Sequence, residues 1–277
     1  MAFVDEAKSK ELEETGVVVL ENVYTPDDIL AFTAQFDSGW AAVSDKLHDL
    51  QWQKRLYRDA HAPSFILGRG LYQGKLVAAF RGTQVVDMGH GRYDFTHGLE
   101  GGVLASDRLL APDSVYGVVH AALKRGYSGY VGGLPVLPNP SPLPAGYWHR
   151  DAYSLYEDEA FDLALPPFYY TMIVPLTDME EGNGATEFVP GSHKFDFAGH
   201  NIVTPEKVKA WADTQPRRIP AVKAGSVCIF HGFTLHRGGS NMSNSRRDAL
   251  YVVFKKNWYS DEDPTDYVDA PLDFVSQ

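Results

Sequence analysis

GYVGGLPVL, residues 129–137, opens the half of the chain whose reading decides the fold. From Gly129 onward, β-rich runs alternate with Gly, Pro and Asn: Tyr130 to Leu137, Tyr147 to Leu155, Phe168 to Leu176, Ala185 to Val189, Ser226 to Phe233 and Ala249 to Lys255. Short runs rich in Val, Ile, Tyr and Phe, punctuated by turn formers, predict strands. Together they predict an antiparallel barrel or jelly roll. The stretch Pro135 to Pro144 reads as a rigid connection, and no internal repeat is visible.

Upstream the pattern changes. After Ala111-Pro112-Asp113 a helix is expected through Val119 and Leu123 to a stop at Gly126. From Gln51 to Gly102, aromatics, Gly and charges mix without a clean period, so this segment is expected to be irregular with short elements, suited to covering a substrate. From Lys8 to Phe36 the chain reads as a charged helical start, the apolar run Val17-Val18-Val19-Leu20 after Gly16, and a second helix opened by Thr25-Pro26-Asp27-Asp28. Thr25 suits the N-cap, Pro26 the first helical position, and Asp27 and Asp28 the positive end of the helix dipole.

Bulk properties narrow the function. With 277 residues, 44% hydrophobic and 13% aromatic, the chain can bury a full core and is expected to form one large domain or one domain with a helical extension. A net charge of −11 without a Lys/Arg-rich run argues against nucleic-acid and anionic-lipid partners. No run approaches the roughly 18 apolar residues that span a bilayer, and the acidic N-terminus does not look like a signal peptide, so no membrane partner and a cytoplasmic location are expected. Cys228 is the only cysteine and sits between Val227 and Ile229; it reads as a buried core thiol, and any metal site must use nitrogen and oxygen ligands.

Such a site is available. In Gly146-Tyr147-Trp148-His149-Arg150-Asp151-Ala152-Tyr153, strand periodicity places His149 and Asp151 on one face. Alone, H-x-D is a weak signal, equally compatible with a surface histidine beside charged neighbours. A third ligand is offered by His236, at the end of Ser226-Val227-Cys228-Ile229-Phe230-His231-Gly232-Phe233-Thr234-Leu235-His236. His231 competes, but its odd offset from His236 would turn it to the opposite face of a continuous strand, so it is expected to be a structural histidine. Two histidines and one carboxylate leave coordination positions open, as in non-haem Fe(II) oxygenases and unlike closed structural zinc sites.

Four ordered blocks carry a family resemblance: Thr15-Gly16-Val17-Val18-Val19-Leu20; Tyr147 to Asp151; Glu181-Gly182-Asn183-Gly184-Ala185-Thr186-Glu187-Phe188-Val189-Pro190-Gly191-Ser192-His193; and His236 through Arg247. The sequence resembles the phytanoyl-CoA dioxygenase-like (PhyH) family of Fe(II)/2-oxoglutarate-dependent oxygenases. The resemblance implies a mainly β fold with flanking helices (α+β), built on a double-stranded β-helix (jelly-roll, cupin-like) core. It also implies a single domain over residues 1–277: a helical and irregular region to about 128, the core at about 129–258, and a tail at 259–277.

The resemblance implies residue roles too. His149, Asp151 and His236 would be both catalytic residues and iron ligands. Arg247, eleven positions after His236, would pair with the remote carboxylate of 2-oxoglutarate, a task that suits the planar guanidinium fork. Arg246 is the alternative and reads as a solvated loop residue. Thr186 would add a hydroxyl to the cosubstrate carboxylate; otherwise it is an ordinary β-branched strand residue. His193, in a turn, is excluded. One departure is that Gly146 and Tyr147 stand where relatives often carry a polar contact to the cosubstrate, so further contacts do not carry over.

The implied cofactors are Fe(II), 2-oxoglutarate and O2. The implied reaction is oxidation of a C–H bond of a small-molecule substrate, coupled to decarboxylation of 2-oxoglutarate to succinate and CO2. Hydroxylation is the default outcome, with desaturation or cyclisation open. Halogenation is disfavoured, because Asp151 stands where related halogenases have a small residue. Tyr153, Tyr156, Phe168, Tyr170 and Arg92, with Tyr93 beside it, are candidates for the substrate wall, and each equally suits core packing. A catalytically silent jelly roll that binds a metal or ligand is the alternative from another class. A hydrolase or isomerase with a different divalent ion is a third reading, which the presence of Arg247 disfavours. Neither substrate identity nor oligomeric state is legible.

Overall fold

In a computed structural model, residues 5–49, 55–56, 75–80, 83–89, 91–139, 148–152, 155–156 and 159–259 are described. In chain order the elements are α1 (Glu6–Thr15), β1 (Val17–Leu20), α2 (Pro26–Asp49), β2 (Arg55–Leu56), β3 (Lys75–Phe80), β4 (Thr83–Gly89), β5 (Arg92–Phe95), α3 (Asp107–Leu110), α4 (Asp113–Leu123), β6 (Tyr127–Val136), α5 (Glu159–Leu163), β7 (Tyr169–Pro175), β8 (Thr186–Phe188), α6 (Pro205–Ala212), β9 (Val227–His231), β10 (His236–Gly238) and β11 (Arg247–Lys256).

The helices start and stop for local reasons. Asp5 caps α1 by accepting from the backbone N–H of Lys8, and Gly16, at φ 77, closes it in the left-handed region that a glycine adopts without strain. At the head of α2, Thr25 Oγ1 accepts from Asp28 N at 3.2 Å while Asp28 Oδ2 accepts from Thr25 N at 2.8 Å, a reciprocal capping box. Along α2, Phe32, Phe36, Trp40 and Val43 recur at helical spacing and are buried. The helix after Pro112 ends at Leu123; Lys124, at φ 60, turns the chain before Gly126 does.

Among the described residues, nine strands form one antiparallel sheet in the order β1-β9-β7-β11-β6-β5-β4-β3-β2, and β10 pairs with β8 in a small second sheet. The segment expected to be irregular therefore supplies β2 to β5 to the large sheet. Register shifts between Leu76 and Ala78, and between Asp87 and Gly89, break the period-two alternation that would have announced these strands.

Strand alternation gives the large sheet two different faces. Tyr170, Met172, Val174, Val227, Ile229, Leu250, Val252 and Phe254 pack with Leu12 of α1, the apolar side of α2 and Val115, Val118, Val119 and Leu123 of α4. The other face sends Ile173, Cys228, Phe230 and Ala249 against Phe188 of the small sheet. Both faces are covered, which is why β7 reads YYTMIVP and is buried at every position. Two sheets packed in this way, with helices on the outside of the larger, are a jelly-roll core with flanking helices. Cys228 is buried in it, and burial pushes its thiol up to about 12. Among the described residues no helix is long and apolar enough to cross a membrane.

Candidate active site

The stretch around His149 does not form the expected strand; among residues 148–152 only His149 pairs, in an antiparallel bridge with His236. The bridge is closed by His149 N donating to His236 O at 2.9 Å and His236 N donating to His149 O at 3.0 Å. Two residues on, Asp151 N and Ala152 N both donate to Gly232 O, which bends the chain and ends the pairing. The alternation survives nonetheless. Trp148 and Arg150 turn outward, Trp148 under the Arg237 guanidinium at 4.4 Å and Arg150 over the Phe197 ring at 4.6 Å. His149 and Asp151 turn inward.

There they meet His236. The three side chains offer ligand atoms that all lie within 4.8 Å of one another. His236 Nε2 is 3.4 Å, and His149 Nε2 3.7 Å, from Asp151 Oδ1. His236 Nδ1 lies 2.9 Å from the Thr234 carbonyl, which can only accept, so Nδ1 carries the proton and Nε2 presents its lone pair inward. Asp151 Oδ2 accepts from Thr171 Oγ1 at 2.5 Å, leaving Oδ1 directed at the imidazoles. Burial alone would raise the Asp151 pKa; the interactions with His236 and His149 and the Thr171 hydrogen bond outweigh it and hold the carboxyl at about 2. An ionised carboxylate and two imidazole nitrogens on one side of a common point fit a ferrous ion.

His231 is absent from this cluster, for a reason different from the expected one. Strand β9 ends at His231, a turn follows, and His236 begins β10 in the other sheet, so the two histidines never share a strand. His231 pairs in register with Tyr170 and faces the helices; its Nδ1 accepts from Phe233 N at 3.0 Å. His193 lies beside it, ring centroids 5.2 Å apart, with Nε2 at 3.1 Å from Glu13 O. Burial lowers both pKa values, His231 to about 3 and His193 to about 4, so both are neutral near pH 7.

Arg247 opens β11 on the inner face, is 2% exposed, and donates from Nη2 to Gly184 O at 2.9 Å. Its buried Nε has no partner. Burial first, and then the positive charge of Arg92, lowers its pKa to about 9. Arg92 and Arg247 flank the same residue, Val136, from the strands on either side of it, so both reach into the space between the sheets. Arg92 donates to Gly239 O at 3.0 Å and lies over Gly238, where a Cβ would come within 1.9 Å of the guanidinium; only glycine leaves room for it. Gly238 in turn pairs with Thr186, which is buried. Two guanidiniums close together, one with an unsatisfied buried N–H, call for an anion. Arg246, expected to be a solvated loop residue, instead bonds Asp248 through Nε at 2.7 and 2.9 Å and Asp37 through Nη2, tying the sheet to α2.

The remaining candidates divide. Tyr170 packs with the helices on the opposite face from the triad and lines no part of it, because strand alternation turns Thr171 and Tyr170 to opposite sides. Phe168 closes one end of the core against Phe233, Trp258 and Tyr259. Tyr156 is 49% exposed, its ring 5.9 Å from Phe161. Tyr93 packs on Trp40 of α2 at 5.3 Å, while Tyr153 lies outside the described residues. Thr171 and Thr234, which orient two of the three triad members, were missed; for Thr171 the available signal was the one threonine among the aromatic and aliphatic residues of YYTMIVP.

Known proteins resemble this chain in sequence or in fold. Dioxygenase FUM3 of Gibberella moniliformis (strain M3125 / FGSC 7600) is 30% identical over 104 residues, 37% of this chain and 31% of that protein. Dioxygenase trt7 of Aspergillus terreus (strain NIH 2624 / FGSC A1156) is 23% identical over 240 residues, 86% of this chain and 69% of that protein. The match to FUM3 thus spans less than a third of that relative's own length. Among solved structures, the non-heme alpha ketoglutarate dependent carbocyclase SnoK from nogalamycin biosynthesis aligns with a TM-score of 0.56 at 21% identity, over 91% of this chain and 84% of that one, and so shares the fold. The model of the family described as phytanoyl-CoA dioxygenase (PhyH) matches residues 12–249, which takes in all four sequence blocks, the triad and Arg247, and the chain belongs to that family of iron- and 2-oxoglutarate-dependent oxygenases.

Proposed function

We propose that this protein oxidises a C–H bond of a small organic molecule in the cytoplasm, with His149, Asp151 and His236 holding Fe(II) and the Arg247 pocket holding 2-oxoglutarate. The observation that carries the reading is the pairing of two half-built features across the space between the sheets. One is a two-histidine, one-carboxylate face with its donor atoms within 4.8 Å; the other is a buried guanidinium with an N–H left unsatisfied. Bound iron and 2-oxoglutarate supply the oxidising power, with succinate and CO2 as coproducts.

The chain's own residues have narrower tasks. Thr171 and Thr234 fix the two ligand side chains before any ion arrives, so little reorganisation remains. Arg247 receives the distal carboxylate through two N–H donors, with Thr186 adding a hydroxyl and Arg92 a second positive charge. Phe188 and Phe230, whose rings lie 5.8 and 4.6 Å from the His236 ring, keep water from that side of the metal position. Hydroxylation is the outcome this arrangement serves by default.

Anaerobic titration of the metal-free protein with Fe(II) and then 2-oxoglutarate tests the reading: a weak visible charge-transfer band should grow in, and admission of air should yield succinate. Arg247→Leu should weaken 2-oxoglutarate binding by roughly 100-fold, as expected when a buried charged partner is removed, while leaving iron binding in place. A wild-type protein with neither band nor succinate would leave the silent jelly roll as the better reading.

A further inference from the structure

The inner wall carries an acid that the iron and cosubstrate reading does not use. Asp94 follows Arg92 by two residues on β5 and so shares its inward direction, while the next residue, Phe95, turns out to Phe36 of α2 at 5.2 Å. On β11, Tyr251 follows Arg247 by four residues, again on the inner face. Its register partner on β6 is Gly132, and a Cβ there would come within 2.1 Å of the Tyr251 ring. The absent side chain lets the ring lie across β6, and its hydroxyl donates to Asp94 Oδ1 at 2.9 Å.

This pair shares the wall of the triad. Val253, the next inward residue after Tyr251, is the register partner of Thr171, whose hydroxyl holds Asp151. The charge of Asp151 is felt at both Asp94 and Tyr251. Arg92, Asp94, Tyr130 and Tyr251 are each only half-buried, whereas Ala249 and Val253 between and beyond them are buried. Each of these polar side chains therefore keeps part of its surface uncovered, although Tyr130 and Tyr251 also pack against the cluster around Val253. Among the described residues, no donor reaches Asp94 Oδ2.

A half-buried carboxyl with one oxygen bonded to Tyr251 and the other without a described donor is free to accept from a ligand. Burial, opposed by the Tyr251 hydrogen bond and reinforced by Asp151, brings Asp94 to about 7, where it can accept or donate. An ammonium group would have to share the space with the Arg92 and Arg247 guanidiniums; a neutral hydroxyl would not. We propose that Asp94, held in place by Tyr251, is the recognition point for the organic substrate, and that the substrate presents a hydroxyl group to Asp94 Oδ2. This rests on the oxygenase reading above and adds the substrate class to it.

The test is anaerobic calorimetric titration of the Fe(II)- and 2-oxoglutarate-loaded protein with a panel of alicyclic and aromatic alcohols, each beside its methyl ether and its amine analogue. At least one alcohol should bind the wild type on the order of tenfold or more tightly than its ether, the worth of one hydrogen bond to a charged acceptor. Asp94→Leu should bring that ratio to about one, and Asp94→Asn should retain part of it, because the amide oxygen still accepts. Tyr251→Phe, which frees the carboxyl to swing, should lower the ratio severalfold; if Asp94→Leu does not fold, the Asn and Phe variants carry the comparison. A pair that merely braces the sheet would lower the melting temperature in all three variants and leave the ratio untouched, which overturns the assignment. So would equal binding of alcohol and ether, binding of neither, or preference for the amine. An absent charge-transfer band in the wild type sinks the oxygenase reading itself, whereas a band with a flat ratio sinks only the role of Asp94.

Discussion

The two faces of β11 solve different problems with alternate residues of one strand. Leu250, Val252 and Phe254 enter the apolar core under the helices. Arg247, Ala249, Tyr251 and Val253 lie on the opposite face, and two of these four are polar. The apolar side chains of the helix face ask for no polar partner, while the inner face keeps a buried Arg247 N–H without an acceptor and an Asp94 carboxyl whose one described donor is Tyr251. Stability is therefore concentrated on one side of the sheet and chemistry on the other, as expected where sites carry strain that the rest of the fold offsets. The division can be broken experimentally from either side.

The largest effect should come from the inner face. Asp151→Ala removes the only carboxylate of the triad, and iron affinity and succinate formation should fall by more than the ~10–100-fold typical of losing a supporting partner. Iron content after gel filtration and coupled succinate formation measure this. The melting temperature of the metal-free variant should fall modestly, since the contacts that hold the Asp151 carboxyl at about 2 stabilise the fold at neutral pH and the Thr171 hydroxyl loses its acceptor. Wild-type succinate formation in this variant would refute the assigned role of Asp151. Next comes the helix face. Leu250→Ala empties a fully buried site and should lower unfolding free energy by about 3 kcal/mol, with kcat and KM for 2-oxoglutarate unchanged below the melting transition. If that variant lost activity without losing stability, the two faces would not be separable.

The same alternation explains what the sequence disclosed and what it hid. β7, β9 and β11 were legible as apolar runs because both faces of each are largely covered. The triad was legible because His149 and Asp151 are two residues apart, and a local period survives even where the strand itself does not form. β3 and β4 were hidden by bulges that shift the period mid-strand. Tyr170 was misplaced because proximity to the motif outweighed its parity; Thr171, one residue on, is the inward one. The Tyr251–Asp94 contact joins residues 157 positions apart and needs a glycine on a third strand, which no local pattern announces.

A smaller effect should separate the faces by pH. His231 and His193 lie on the helix side of the sheet, are neutral, and have folded pKa values near 3 and 4, below the ordinary 6.5. Stability from keeping them neutral is complete above about pH 6.5 and is lost progressively as pH falls from there toward the folded values. At pH 5 each should forfeit about 2 kcal/mol relative to pH 7.5. Urea unfolding across this range should show the loss in the wild type. His231→Asn, whose amide oxygen can still accept from Phe233 N–H, should roughly halve the slope. An unchanged slope would show that acid sensitivity arises elsewhere.

The smallest effect tests whether the inner face is rigid before metal arrives. Thr171 stands in register with Val253 and gives its hydroxyl to Asp151 Oδ2, so Oδ1 is the oxygen left facing the two imidazoles. Thr171→Val keeps the branched shape and deletes only that hydrogen bond. If the hydroxyl pre-sets the carboxylate, Fe(II) affinity should drop about tenfold, the lower end of the range for a supporting partner, with 2-oxoglutarate affinity of the iron-loaded protein unchanged. If the metal itself orients Asp151, iron affinity should not move. That result would also shift the role of Thr171 to filling space beside Ile173, and would make the inner face, like the helix face, a surface whose order comes from packing.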